Sequence, residues 1–169
     1  MGASGVAERN DRAVDGADRL RREVLVVALG HRHYGLPAVD VVELLRVVAC
    51  VPLPGAPEWI EGVFSLRGTV VPVLDLRARL GLPARSAEPS DHLVVVRTWG
   101  RPVALRVDRA LELAEPDATE GTGVAAVVRL RDELIPVLDL RALVSPAEPA
   151  APDAAFPWPA AFEGGIAPS

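Results

Sequence analysis

Lysine is missing from this chain: all 18 basic residues among its 169 are arginine. With the wealth of Ala, Val and Pro, that reads as a compositional bias of the source genome rather than a functional mark. Cysteine is nearly missing as well. A single Cys50 excludes an internal disulfide and a thiolate zinc site, which fits a reducing compartment and predicts a cytoplasmic protein. Long apolar runs are lacking. The strongest, Val24 to Leu29, is followed by the polar His31-Arg32-His33, whereas a membrane helix needs about 20 apolar residues. No direct membrane insertion is expected. Residues 1–23 are densely charged where a signal peptide would be apolar, so export is not expected. Val6 stands where a myristoylation signal requires Ser or Thr. A basic patch is lacking too: the net charge is −5, and Arg and acids are interspersed, which argues against nucleic acid as a partner.

What is present is a globular composition, half hydrophobic and 24% charged, enough for one domain or two small packed lobes. Residues 1–23 read as a flexible mixed-charge leader and residues 24–144 as the folded region. Residues 145–169 read as a Pro/Ala-rich tail, where proline density blocks helix and sheet alike.

The folded region is predicted to be all-β. Val24–Leu29 and Leu93–Val96 are apolar, β-branched runs of strand length. Val70–Leu74 and Leu134–Leu138 are two more, each holding a proline (Pro72, Pro136) that predicts an edge or bulge. Short helical turns are predicted over Pro57–Glu61, Arg77–Leu80 and Arg141–Val144. Arg67 to Leu80 and Arg131 to Val144 share eight of fourteen residues at an offset of 64. A fainter echo at an offset of 68 places Leu25-Val26-Val27 over Leu93-Val94-Val95. Two copies are too few for an array; two related lobes, each closed into a small barrel, account for them and leave few exposed edges.

One ordered series of residues goes further. It runs Tyr34-Gly35-Leu36, Val41-Val42-Glu43-Leu44, Pro54 to Val63 around Trp59-Ile60-Glu61-Gly62, then Ser65-Leu66-Arg67-Gly68-Thr69 to Arg77, and Val103 to Asp108. Together these resemble the CheW family of bacterial chemosensory adaptors, over roughly residues 24–144. The resemblance implies two five-stranded SH3-like β-barrel lobes around a shared core, with no catalysis and no cofactor. It implies two partners, the cytoplasmic tip of a chemoreceptor and the regulatory domain of a CheA-type histidine kinase. Two departures stand out. Ser65 replaces the family's usual Asn, and the stretch between Asp108 and Leu134 is short, with Thr122-Gly123-Val124 the nearest match to an expected strand start.

Val41, Glu43, Leu44, Gly62, Arg67 and Gly68 form the expected partner-binding set. Arg67 can grip a partner's carboxylate bidentately, or pin its own turn through an internal ion pair. Strand alternation puts Val41 and Glu43 on one face, a mixed apolar and acidic spot or an ordinary solvated face. Gly62 and Gly68 fit turns or a close backbone approach. Leu44, Val63 and Leu66 suit either a core or a groove. Arg131 repeats the Arg67 position and is expected to be structural. His31 and His33 alternate but lack further ligands, so a metal is not expected; His92 is expected at the surface. Asp75 and Asp139 are expected to cap the turns that follow their strands. In the tail, Phe156, Trp158 and Phe162 either anchor a partner or pack on the chain's own domain. No nucleophile elbow, P-loop or dinucleotide fingerprint is present. A module that fills receptor arrays without coupling kinase activity remains the alternative function; a small-molecule binder or enzyme is a more distant one.

Overall fold

The computed structural model describes residues 23–120 and 126–145. The leader before Glu23, Thr122-Gly123-Val124 and the tail aromatics lie outside the described residues.

One lobe is continuous in sequence. Strands β3 (Val41–Arg46), β4 (Ile60–Leu66), β5 (Thr69–Asp75), β6 (His92–Thr98) and β7 (Arg101–Val107) form a five-stranded sheet in the order β3-β6-β7-β5-β4. Its outer strands, β3 and β4, are brought together by the chain that leaves β3. Val47 N–H still donates to Asp91 beside β6, at 3.1 Å. Four residues later, Val51 and Val63 of β4 exchange two backbone hydrogen bonds of 2.8 and 2.9 Å. The sheet thereby closes on itself along a seam. Gly62 is what the seam demands, because a Cβ there would lie 2.4 Å from the Val51 carbonyl oxygen.

The second lobe is assembled from both ends of the chain. Strands β1 (Val24–Leu29), β2 (Arg32–Pro37) and β8 (Arg109–Ala114) pair in the order β2-β1-β8. Strands β9 (Ala118–Glu120), β10 (Val127–Leu130) and β11 (Glu133–Pro136) pair in the order β11-β10-β9. Pro116 lies between β8 and β9, which follow each other along the chain but pair in different sheets, so the lobe is built from two three-stranded sheets. A parallel bridge between Gly35 and Val137 joins β2 to the end of β11, and Leu138 N–H donates to the Gly35 carbonyl at 2.8 Å.

Three apolar clusters follow from side-chain alternation. On β6, Leu93 and Val95 fill the first barrel, whereas Val94 and Val96 face a core shared by both lobes. The run is unbroken because both of its faces are buried. On β1, Val24 and Val26 fill the second barrel while Val27 and Leu29 join the shared core. Two short helices, α1 (Leu76–Arg79) and α2 (Leu140–Val144), supply Leu76, Leu140, Leu143 and Val144 to that core. Asp75 and Asp139 cap them as expected, each accepting from the N–H groups two and three residues on. Arg79 of α1 then donates to the carbonyls of Ala142, Leu143 and Ser145 at the end of α2.

Three local expectations fail. Pro57–Glu61 is a turn leading into β4, closed by Ile60 N–H on the Pro57 carbonyl, because Ile60 is drawn into the ladder with Leu74. Pro72 is not on an edge strand, since β5 lies between β4 and β7. Its partner Val63 directs both backbone groups at Val51, so Pro72 N points away from β4. It points to where β7 is not yet paired, since that ladder begins at Val73. His92 is half-buried rather than at the surface, and its Nδ1 has no hydrogen-bond partner among the described residues.

A network of charge runs from the first barrel to the lobe junction. Arg106, between Leu105 and Val107 on β7, is 3% exposed and shares the first-barrel face with Leu93. Its guanidinium donates to Glu61 at 2.6 Å, Asp75 at 2.8 Å and Asp91 at 3.1 Å. Asp91 also accepts from Arg85 at 2.6 Å and from Glu88 N–H at 3.0 Å. Asp108 joins Arg85 at 2.7 Å, Arg77 through a bidentate pair, and Gly30 N–H at 2.6 Å. Burial works to raise the Asp108 carboxyl, but hydrogen bonds from Arg77, Arg85 and the Gly30 amide outweigh it and hold the group well below the usual carboxylate range.

Removing one member strands the others without water. Arg106→Ala is therefore expected to cost about 3–5 kcal/mol in chemical denaturation; a loss under about 1 kcal/mol would show that water replaces the guanidinium. Asp108 contributes stability above its unfolded pKa of about 4, and the contribution is lost as pH falls below that value. Asp108→Asn should lower the thermal midpoint at pH 7 and flatten its decline between about pH 4 and 2. An unchanged acid limb would place the sensitivity elsewhere. Gly62→Ala should loosen the seam and speed thiol modification of the neighbouring Cys50, a half-buried side chain packed in the first barrel.

Candidate functional site

The first barrel's seam gathers most of the expected partner-binding residues. At the β4–β5 hairpin, Arg67 and Gly68 form a two-residue turn with φ of 49° and 81°, the backbone a tight right-twisted hairpin needs. A non-glycine residue with positive φ is uncommon. Here it aims the Arg67 side chain back across the seam at β3.

The guanidinium meets Glu43 bidentately, with Nη1 to Oε2 at 2.7 Å and Nη2 to Oε1 at 2.6 Å. The hydrogen bond from Arg67 lowers the Glu43 carboxyl below its ordinary value, and the same bond raises Arg67. The two alternatives for Arg67 are thus partly resolved: it makes an internal ion pair, and its side chain is still 73% exposed. A second anion can approach its outer edge.

β3 is bulged between Val41 and Glu43 in its ladder with β6. Along it, Val41, Glu43 and Leu45 are half-buried while Val42, Leu44 and Arg46 are exposed. Val41 packs against the shared core. Val42 is the exposed neighbour of Glu43, at 50%, and Leu44 follows at 47%. Sequence reading chose Val41 over Val42; the same alternation, read with Leu44, would have pointed to Val42. Leu66 packs against the first barrel's interior. Gly62 lies under the seam, spent on backbone approach rather than on display.

The second barrel carries a similar arrangement. Arg131, at the β10–β11 turn with φ of 57°, reaches Glu112 on β8 at 3.2 Å. Glu112 lies between the exposed Leu111 and Leu113, as Glu43 lies between Val42 and Leu44. The shared pattern is apolar-Glu-apolar on one strand and Arg at a hairpin tip. The sequence pairs Arg67 with Arg131 and singles out Glu43, but it does not reveal the counterpart Glu112, because a three-residue echo is below what an offset comparison resolves.

His33 Nδ1 lies 2.8 Å from Glu133, and no group of three or more metal-ligating side chains occurs among the described residues. The Asp75 and Asp139 carboxylates are engaged as caps. Among the described residues no helix is long and apolar enough to cross a membrane.

Comparison with known proteins gives this geometry relatives. A chemotaxis protein CheW of Treponema pallidum is 26% identical over 142 residues, covering 75% of this chain and 84% of its own length. Protein FrzA of Myxococcus xanthus is 34% identical over 103 residues, covering 61% of this chain and 64% of its own. A chemotaxis protein CheW of Helicobacter pylori is 30% identical over 84 residues, so the chain spans about half the length of that relative. The crystal structure of the scaffolding protein TtCheW from Thermoanaerobacter tengcongensis superposes with a TM-score of 0.68 at 28% identity, over 75% of this chain and 89% of that one. Its scaffold accords with the all-β, two-lobed architecture described above. Residues 23–126, more than half of the chain, match the CheW-like domain model, and the chain belongs to that family.

Proposed function

We propose that this protein is a non-enzymatic cytoplasmic adaptor that holds the cytoplasmic tip of a chemoreceptor and the regulatory domain of a CheA-type histidine kinase together. The observation that carries this reading is the first seam, in a chain of this family. Val42 and Leu44 offer exposed apolar contact on either side of Glu43, and Arg67 presents an outer edge for a partner's carboxylate. An apolar centre with a charge-assisted rim is how compact signalling interfaces gain specificity. Binding two partners at once makes their contact effectively intramolecular, so modest individual affinities suffice. Signalling follows if receptor states differ in affinity for the assembled kinase.

The test is kinase phosphorylation with a receptor fragment, with and without the protein. Wild type is expected to raise or gate phosphorylation. Arg67→Glu should weaken partner binding by roughly 30-fold, the scale of a hot-spot residue, and abolish coupling. It also sets two carboxylates face to face across the seam, so Glu43→Arg/Arg67→Glu is the needed companion. That swap should recover the thermal midpoint but not the coupling. If it recovers both, Arg67 serves closure alone and the partner contact is misassigned. If wild type binds both partners yet leaves phosphorylation unchanged, the array-filling alternative replaces the adaptor reading.

A further inference from the structure

A cleft of about 570 Å³ lies on the side of the shared core near the C-terminal end of the described chain, within the range of ligand-sized pockets. Its walls come from Pro37 at the end of β2, Trp99 at the β6–β7 turn, Leu138 before α2 and Leu140 at the start of α2. Trp99 is 62% exposed, and the Arg141 guanidinium lies 5.0 Å from the centre of its ring. The cleft mixes apolar walls with Asp40, Arg97, Thr98, Asp139 and Arg141, a lining suited to an aromatic segment that carries some polar groups.

The chain itself supplies a candidate of the right chemistry. The described residues end at Ser145, four positions beyond Arg141 on the cleft wall. Beyond it the sequence runs on through Phe156-Pro157-Trp158-Pro159 to Phe162. The eleven residues from Ser145 to Phe156 reach about 36 Å when extended, ample to turn back over α2. Prolines on either side of Trp158 restrict the chain before it docks and so reduce the ordering cost. The tail carries Glu148, Asp153 and Glu163 and no basic residue. The cleft is lined by two arginines, Arg97 and Arg141, and two aspartates, Asp40 and Asp139, so the tail's aromatics rather than its charge would hold it there.

We infer that the cleft between Trp99 and α2 is the docking site for the chain's own tail, with Phe156 and Trp158 as anchors. Covalent attachment gives an effective concentration in the millimolar range, so a weak contact is mostly formed. A second copy or an external peptide would have to displace it. The inference does not depend on the adaptor reading, since it concerns a different surface.

The test uses the full-length chain. In the wild type, the Trp99 indole and the amides of residues 97–100 should shift by NMR when Phe156→Ser/Trp158→Ser is introduced, while the rest of the described chain stays unchanged. A second measurement places a spin label at Ala160→Cys in a Cys50→Ala background. Broadening confined to residues 97–100 and 137–141, independent of concentration and abolished by Trp99→Ala, is the expected result. Absent or evenly spread broadening overturns the assignment. Broadening seen only between labelled and unlabelled molecules places a second copy in the cleft and overturns it as well. A Cys50→Ala chain that fails to fold leaves the first comparison decisive, because unchanged Trp99 signals there refute the contact.

Discussion

A single buried guanidinium orders this molecule. Arg106 lies in the first barrel, on the same face of the sheet as Leu93 and Ala104, and three carboxylates from different parts of the chain converge on it. Each carboxylate has a second task. Glu61 lies at the bulge of β4 beside Gly62, where the first barrel closes. Asp75 caps α1. Asp91 ties down the segment that carries Arg85. Through Arg85 and Arg77 the charges reach Asp108, at the passage from one barrel to the other, and through it the β1–β2 turn. Burying so much charge is favourable only when every group is matched. The geometry of seam, helix and lobe junction is therefore one constraint rather than three.

The internal repeat takes on meaning against this. Both lobes retain a strand, an aspartate cap and a short helix in the same order, and both set a hairpin arginine against a glutamate on another strand. The lobes part company at the charge network, which hangs on β7, α1 and the segment between α1 and β6.

Much of this was legible in sequence because it depends on local chemistry. The unbroken apolar run at Leu93–Val96 announced a strand, and Asp75 and Asp139 announced caps by their place after a strand. The Arg67-Gly68 pair announced a tight turn. What stayed hidden depends on tertiary placement. Nothing near Arg106 in the chain forecasts three carboxylates from positions 61, 75 and 91. Pro57–Glu61 has a reasonable helix start, but Ile60 finds better partners in the sheet. Pro72 violates a rule that holds for paired backbone, and the structure spares it by leaving that one side unpaired. At the candidate site, alternation puts Val42 with Leu44 and Val41 with Leu45, but which pair faces outward is set by the cores that Val41 and Leu45 meet.

The path of the chain has a consequence for synthesis. Strands β1 and β2 of the second barrel leave the ribosome before the first barrel does, yet β1 finds its neighbour β8 only after the whole first barrel has been made, with Val24 paired to Ala114. Long-range pairing of this kind slows folding. Until then, β1 and β2 present apolar faces and unpaired edges while the intervening barrel is translated. The nascent chain thus passes through a period with one lobe able to close and the other held open, and its yield in the cell depends on how that interval is protected.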